Sequence, residues 1–315
     1  MKIEDLHFDF PNRPVDEENW DLETWRKNQP MDYYKAIYML QQTTDINEQN
    51  ILFRAIYKVT RLYIPDVLYK YFSLSDNEAS NEKKFRTLSA GKIYMSDIKD
   101  FNDPFDAKNY FSDSSKLMDI EWLKPHGGKL IDDFNSYIKA TSLTANGTQS
   151  MPMWAHYANN HAGFCVSYDM NANLSLRSNT FPIQYTDDRL DITSFMHKQA
   201  QKIGSICDQQ RAAGRKIIEL SDLSVIYIHL LLCNIKQTAW SYENEYRCTT
   251  SARTPGMPYI EAKPHALYLG KNCALSHTQR LIEIARQWKI PVYKMDFDDC
   301  SSNYSLIIKP FNDAQ

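Results

Sequence analysis

Apolar residues recur every three to four positions from Glu18 to about Arg61, and in short alternating runs after residue 66. Tyr33, Ala36, Ile37 and Leu40 fall on one helical face, as do Ile51, Leu52, Ala55, Ile56 and Val59. Trp20, Leu22 and Trp25 begin the pattern, and Asp45 and Asn47 offer start signals for the last of these helices. Residues 1–15 are polar and contain proline, and read as an irregular arm. The spacing predicts an N-terminal helical extension over residues 1–65, ended by Pro65. Its faces either cover a sheet or bind a partner protein.

Residues 66–315 read as an α+β domain. Val67–Ser73 is a first core strand, Ser80–Ala90 a helix with Phe85 and Leu88 inward, and Lys92–Ser96 a second strand. Gly91 closes the helix between them. Residues 113–140 read as helix, loop and helix, and 140–150 as polar and flexible. Met153–His161 fits a short helix ending near Gly163, followed by the strand Phe164–Tyr168. Phe181–Tyr185 is a strand, and a long helical region runs from about Ile192 to Cys233. Ala266–Leu269, Pro291–Asp296 and Tyr304–Ile308 are late strands, with a helix over Ser276–Gln287.

The chemistry concentrates in Lys236–Thr250, KQTAWSYENEYRCTT. Its strand formers run on without Pro or Gly, so the pattern predicts one strand. Alternation then puts Glu243, Glu245 and Arg247 on one face. Two such carboxylates repel, and burial raises the pKa of at least one. Arg247 can hold one ionised through a charge-assisted, bidentate bond. The alternative is a half-exposed strand with a solvated ion pair.

Two other clusters carry polar groups. In FNDPFD (Phe101–Asp106), Asn102 and Pro104 are turn chemistry, while Asp103 and Asp106 either cap the loop or hold a metal. Trp154, His156, Tyr157 and His161 offer rings for a pocket that takes an aromatic base, or for an ordinary core.

Composition removes several function classes. Nine glycines in 315 residues argue against Gly-rich nucleotide loops. A net charge of −3 supplies no global field for nucleic acid. The six cysteines form no CxxC pair, which argues against a zinc ribbon and suits reduced thiols of a cytoplasmic protein. The start MKIEDLHFDF has no signal-peptide pattern, and no apolar run is long enough to span a bilayer.

Five stretches, LYKYFS (68–73), TLSAGKIYMSDIKDFNDPFD (87–106), MWAHYANNHAGFCVSYD (153–169), WSYENEYR (240–247) and HALYLG (265–270), resemble a large bacterial domain-of-unknown-function family. That resemblance associates the chain with bacterial conflict and phage-defence systems. A further similarity is to toxin-type mono-ADP-ribosyltransferases, which open on strand, helix and strand and carry a catalytic Glu, often as Glu-x-Glu. Glu243-Asn244-Glu245 matches that pattern, but Tyr69, Lys70 and Tyr71 stand where those enzymes have Arg or His.

The resemblance implies an ADP-ribosyltransferase-like fold of mixed or antiparallel sheets with flanking helices, using NAD as substrate. Glu245 would steady the sugar cation, Glu243 would orient or deprotonate the acceptor, and Arg247 would support them. Tyr71 and Trp154 would stack on NAD rings, Ser96 and His156 would bond its amide or phosphates, and Tyr69, Lys70, Asn102, Asp103, Tyr157 and His161 complete the cofactor-binding set. The acceptor is a protein or nucleic acid. A metal-dependent nuclease using Asp103, Asp106, Glu243 and Glu245 around Mg²⁺ is one alternative, and a non-catalytic sensor is another.

Overall fold

A computed structural model describes residues 22–43, 45–106, 108–129, 137–217 and 224–311. The arm expected over 1–15 and Trp20 lie outside the described residues. The chain forms two compact units, each assembled from three segments. The first contains residues 1–63, 97–138 and 184–238, and the second 64–96, 139–183 and 239–315. The N-terminal helices group with residues 97–138 and 184–238 in the first unit.

In the first unit, helices Tyr33–Gln41 and Ile46–Leu62 begin on Asp32 and Asp45. Asp32 accepts from the Lys35 amide at 2.9 Å, and Asp45 from Asn47 and Glu48 at 2.8 and 2.9 Å. These bonds satisfy donors that a helix start leaves open. The first buried face is the one the spacing predicts, Tyr33, Ala36, Ile37 and Leu40; on the second, Leu52, Ile56 and Val59 are buried, but Ile51 is 52% exposed and Ala55 only partly buried, so that face is narrower than expected. They share a core with Leu117, Leu123, Ile192, Phe195, Ile228 and Leu231, drawn from the two later segments of the unit.

The first helix expected within 113–140 is corrected, while residues 130–136, on which the second falls, lie outside the described residues. Ser114–Leu117 and Glu121–His126 are short 3₁₀ turns, and a strand starts at Ile138. Pro125 lies inside the second turn and removes a backbone donor there. The long helical region divides into Thr193–Ala212 and Ser224–Leu232.

The second unit is built on a sheet whose path has eight strands, numbered here in chain order. They are β1 (Val67–Phe72), β2 (Ile138–Thr144), β3 (Phe164–Asp169), β4 (Thr180–Pro182), β5 (Glu245–Ser251), β6 (Ala266–Leu269), β7 (Val292–Phe297) and β8 (Leu306–Pro310). Their spatial order is β8-β7-β6-β3-β1-β2-β5-β4. β6 and β7 pair in parallel, while β1 is antiparallel to both its neighbours. The result is a mixed α/β fold with a central, mostly antiparallel sheet and flanking helices.

One sheet face packs Leu68, Val166, Leu267 and Cys248 against Phe85 and Leu88 of helix Glu78–Ser89 and Leu281 and Ile284 of helix Leu275–Trp288. Two glycines are fixed by close approach. A Cβ on Gly91, at φ +64°, would sit 2.7 Å from the Trp288 ring, and one on Gly163 would sit 2.0 Å from the Phe72 carbonyl oxygen. The other face meets helix Met151–Tyr157, with Tyr71, Trp154, Met153, Cys165 and Met295 buried together.

Two further expectations change here. Residues 140–150 are not simply flexible, because β2 runs to Thr144 through the middle of the sheet. Lys236–Thr250 is not one strand either. Ile235–Gln237 is a short strand of the first unit, Thr238–Glu243 is a 3₁₀ turn, and β5 begins only at Glu245. The break falls at Asn244, whose φ of +44° is left-handed. Asn tolerates that region because its short polar side chain relieves the local penalty.

Candidate functional site

The register Tyr69↔Thr144 between β1 and β2 sets the site. In an antiparallel pair, opposed residues share a face and alternate with their neighbours. Tyr69 and Tyr71 on β1, and Ser142 and Thr144 on β2, therefore share one face. On the next strand Glu245 joins them, since Ser142 Oγ donates to Glu245 Oε1 at 2.6 Å. Lys70 belongs to the opposite face and donates its ammonium to the Ser142 carbonyl at 3.2 Å.

Glu245 and Arg247, two apart on β5, form a fork. Arg247 Nε donates to Glu245 Oε1 at 2.9 Å and Nη2 to Oε2 at 3.1 Å. The Arg247 side chain is 0% exposed and that of Glu245 2%, so this is a buried pair rather than the solvated one that strand pairs usually make. Lys70 feels it. Burial lowers the Lys70 pKa from 10.5 to about 8, against the attraction of Glu245 and Cys248.

Glu243 has a different setting. The Asn244 break takes it out of strand alternation, and the Tyr157 hydroxyl donates to Glu243 Oε1. Its own carbonyl accepts from Thr144 Oγ1 at 2.6 Å. The Asn244 carbonyl accepts from the Ala145 amide at 3.1 Å, and Asn146 Nδ2 donates to the Tyr242 carbonyl at 2.6 Å. The end of β2 thus ties down three successive residues, 242 to 244, of the turn. Both carboxylates are buried, at 4% and 3% exposure for Glu243 and Glu245.

The rings divide into two groups. Tyr71 and Trp154 meet edge to face, with centroids 5.0 Å apart at 83°. Tyr71 donates to the Gly147 carbonyl at 2.7 Å, and Trp154 Nε1 to Thr148 at 2.8 Å. Trp154 is 0% exposed, and burial raises the Tyr71 pKa far above its ordinary value. These two rings belong to the core. His161 stacks on Trp154 at 5.7 Å and 9°, and meets the Phe297 ring edge at 5.4 Å. Burial, then the nearby Lys271 charge, lowers its pKa. Its backbone is left-handed, at φ +66°, as are Asn159 and Asn160 before it.

The second group is open. His156 and Tyr242 are exposed, and Tyr157 and Trp240 are partly so. Their centroids form a run: Trp240 to Tyr242 at 6.2 Å, Tyr242 to His156 at 6.2 Å, His156 to Tyr157 at 6.5 Å. The run ends on the tyrosine that bonds Glu243.

Of the residues singled out in the sequence, Tyr69, Tyr71, Trp154, Tyr157, Glu243, Glu245 and Arg247 come together, with His156 at the rim and His161 behind Trp154. Ser96 belongs to the second unit, at the end of one of its segments, whereas Asn102 and Asp103 belong to the first. Asp103 is buried and accepts from the Phe105 amide at 2.9 Å, a turn cap. Among the described residues no group of three or more His, Cys, Asp or Glu is placed to hold a metal ion. None of their helices is long and apolar enough to cross a membrane. All six cysteines are free thiols.

Sequence reasoning passed over Ser142, Thr144, Trp240 and Tyr242. Thr141, Leu143 and Thr144, β-branched or apolar, were the available signal for β2.

No solved structure and no curated protein matches the chain. Residues 153–248, which hold helix Met151–Tyr157 from its third residue on and β5 through Cys248, match the model of the family described as "Protein of unknown function (DUF2971)".

Proposed function

We propose that the second unit is ADP-ribosyltransferase-like and moves ADP-ribose from NAD to a protein or nucleic-acid acceptor, as a toxin or effector in bacterial conflict. The observation that carries this reading is the pair of buried carboxylates two residues apart with unlike partners. Glu245 is clamped by a guanidinium. Glu243 bonds a neutral phenol that stands beside exposed rings.

The chemistry assigns them different tasks. As the nicotinamide–ribose C–N bond breaks, its electron pair leaves with nicotinamide and C1′ gains oxocarbenium character. A carboxylate helps only if its interaction strengthens as that charge develops. Glu245 is largely neutralised by Arg247, so it fits a fixed support better than a cation stabiliser. Glu243 takes the stabilising role in this reading, reversing the roles expected for the two glutamates. The acceptor's nucleophilic atom then bonds C1′, and its proton passes to Glu243. Tyr157 covers Glu243 and has to swing aside to admit the sugar.

The test is nicotinamide release, with mass spectrometry of cell protein and RNA, for full-length wild type and Glu243→Gln. Transfer is expected from wild type and reduced at least about a hundredfold in the variant, the usual loss for one such electrostatic group. Cells expressing wild type should also grow more slowly than those expressing the variant. Absence of nicotinamide release and of any ADP-ribose adduct with wild type refutes the proposal.

A binding module without turnover is the second reading. It draws on the enclosure of Tyr71 and Trp154 in the core, and it expects one stoichiometric partner and no use of NAD.

A further inference from the structure

A pocket lies wholly within the first unit, between helix Tyr33–Gln41, the short strand Leu190–Asp191 and the start of helix Thr193–Ala212. Helical spacing explains which side chains meet there. Ile37, Tyr38 and Gln41 stand at i, i+1 and i+4 on the first helix, and Ser194, Phe195 and Lys198 repeat that spacing on the second. Ile37 and Phe195 are buried core residues, whereas Tyr38 is 55% exposed. The pocket therefore has an apolar floor and a mouth open to water.

The rim carries one charge of each sign. Asp191 Oδ1 accepts from the Thr193 amide at 2.9 Å, and bonds from Thr193, side chain first, hold the Asp191 pKa below the usual carboxylate value. The Thr193 hydroxyl in turn accepts from the Asp113 amide at 2.8 Å, so the carboxylate is both ionised and fixed in place. Lys198 follows one turn after Ser194 and is exposed. Among the described residues Asp191 and Lys198 form no ion pair with each other. The cation Lys116, whose charge Asp191 also feels, is engaged by Asp113 at 3.6 Å. Both rim charges thus stay open to a ligand, with the Ser194 hydroxyl and the Gln41 amide between the helices to hydrogen-bond it.

Size narrows the class. The volume is about 210 Å³, below the roughly 300 Å³ at which drug-sized sites begin. At about 30 Å³ for each water-sized group it holds about seven such groups. A nucleotide does not fit, and a branched aliphatic amino acid does. We infer that this pocket binds a small zwitterion, a free amino acid with an apolar side chain, whose ammonium meets Asp191, whose carboxylate meets Lys198 and whose side chain rests on Ile37 and Phe195. The inference does not rest on the transferase reading, because Glu243 and Glu245 belong to the second unit.

The experiment is isothermal titration of the full chain with L-leucine and L-valine, and with isopentylamine and isocaproate, which keep the leucine side chain but only one of its two charges. Saturable binding with a Kd of about 1 mM or tighter is expected for at least one amino acid. The amine and the acid should each bind about tenfold more weakly or worse, being short of one charge-assisted contact. Asp191→Asn, which keeps a helix-capping side chain, should weaken the amino acid about tenfold or more and leave the acid unchanged. Lys198→Met should weaken the amino acid likewise and leave the amine unchanged. Both positions are exposed, and the comparison of ligands on wild type decides the matter even if a variant fails to fold. Lack of saturation by either amino acid up to about 10 mM, an amine or acid that binds as tightly as the amino acid, or an amino-acid affinity unchanged in both variants overturns the inference.

Discussion

The fork between Arg247 and Glu245 permits a calculation that separates a buried pair from a surface one. Arg247→Met keeps a long apolar side chain in the same space but removes the guanidinium. Glu245 then loses two donors, and Ser142 Oγ at 2.6 Å remains on its carboxylate. Removing one partner of a buried pair costs about 3–5 kcal/mol, because the other charge stays buried without compensation. Lys70 moderates this, since Glu245 already attracts its ammonium, so the lower end of the range is expected. At roughly 2–4 °C per kcal/mol for a domain of this size, the melting temperature should fall by about 6–12 °C.

Glu245→Leu should cost a similar amount by stranding Arg247. The double variant Glu245→Leu/Arg247→Met removes both charges and should lie within about 1 kcal/mol of wild type, as replacing a buried pair by apolar groups is often neutral. Urea unfolding of the four proteins measures the coupling. If each single change costs under about 1 kcal/mol and the two simply add, the pair is solvated, and the case for Glu245 as a fixed support collapses.

Two more predictions follow from local chemistry. Lys70 has its folded-state pKa lowered from 10.5 to about 8; between those values the unfolded chain holds the proton and the folded one does not, so stability should rise with pH from about 8 to 10. The full effect is at most about 3 kcal/mol, and the rise in urea midpoint should vanish in Lys70→Met; a rise of equal size in that variant assigns it elsewhere. At the end of helix Leu275–Trp288, Lys289 sits at φ +55° and ψ +45°, a conformation that glycine adopts without the side-chain penalty. Lys289→Gly should raise the unfolding free energy by a few tenths to about 1 kcal/mol, read as a higher urea midpoint at unchanged slope, net of the greater freedom glycine gives the unfolded chain, whereas a fall would mean the lysine side chain has a role of its own.

How far the sequence could be read depended on how far the pattern was local. Ala266–Leu269 came out with the ends expected, and the helix before Gly91 shifted by one or two residues, because hydrophobic period and caps state both directly. β2 was missed because IKATSLT looks polar when written out. Its polarity is functional in part, with Ser142 and Thr144 holding Glu245 and the Glu243 carbonyl. A central strand that must present polar groups on one face cannot also advertise itself as a hydrophobic run. The two-unit organisation was illegible for another reason. The first unit's core is closed by segments that arrive after residues 97 and 184, and such long-range pairing leaves no mark on any one window of sequence.

Asn244 shows why the candidate site needed coordinates. Reading WSYENEYR as an uninterrupted strand made Glu243, Glu245 and Arg247 equivalent members of one face. A single left-handed residue between the glutamates breaks that equivalence. Glu245 keeps the i, i+2 relation to Arg247 and forms the fork, while Glu243 is carried to the Tyr157 hydroxyl. Had alternation held, both carboxylates would compete for one guanidinium, and neither would have a distinct environment. Environments that differ are what allow neighbouring carboxylates to take different tasks. The backbone conformation at Asn244 therefore does more to separate the two glutamates than the residues on either side. It also places Trp240 and Tyr242 on a turn instead of a strand, which is how their rings reach the neighbourhood of His156 at all.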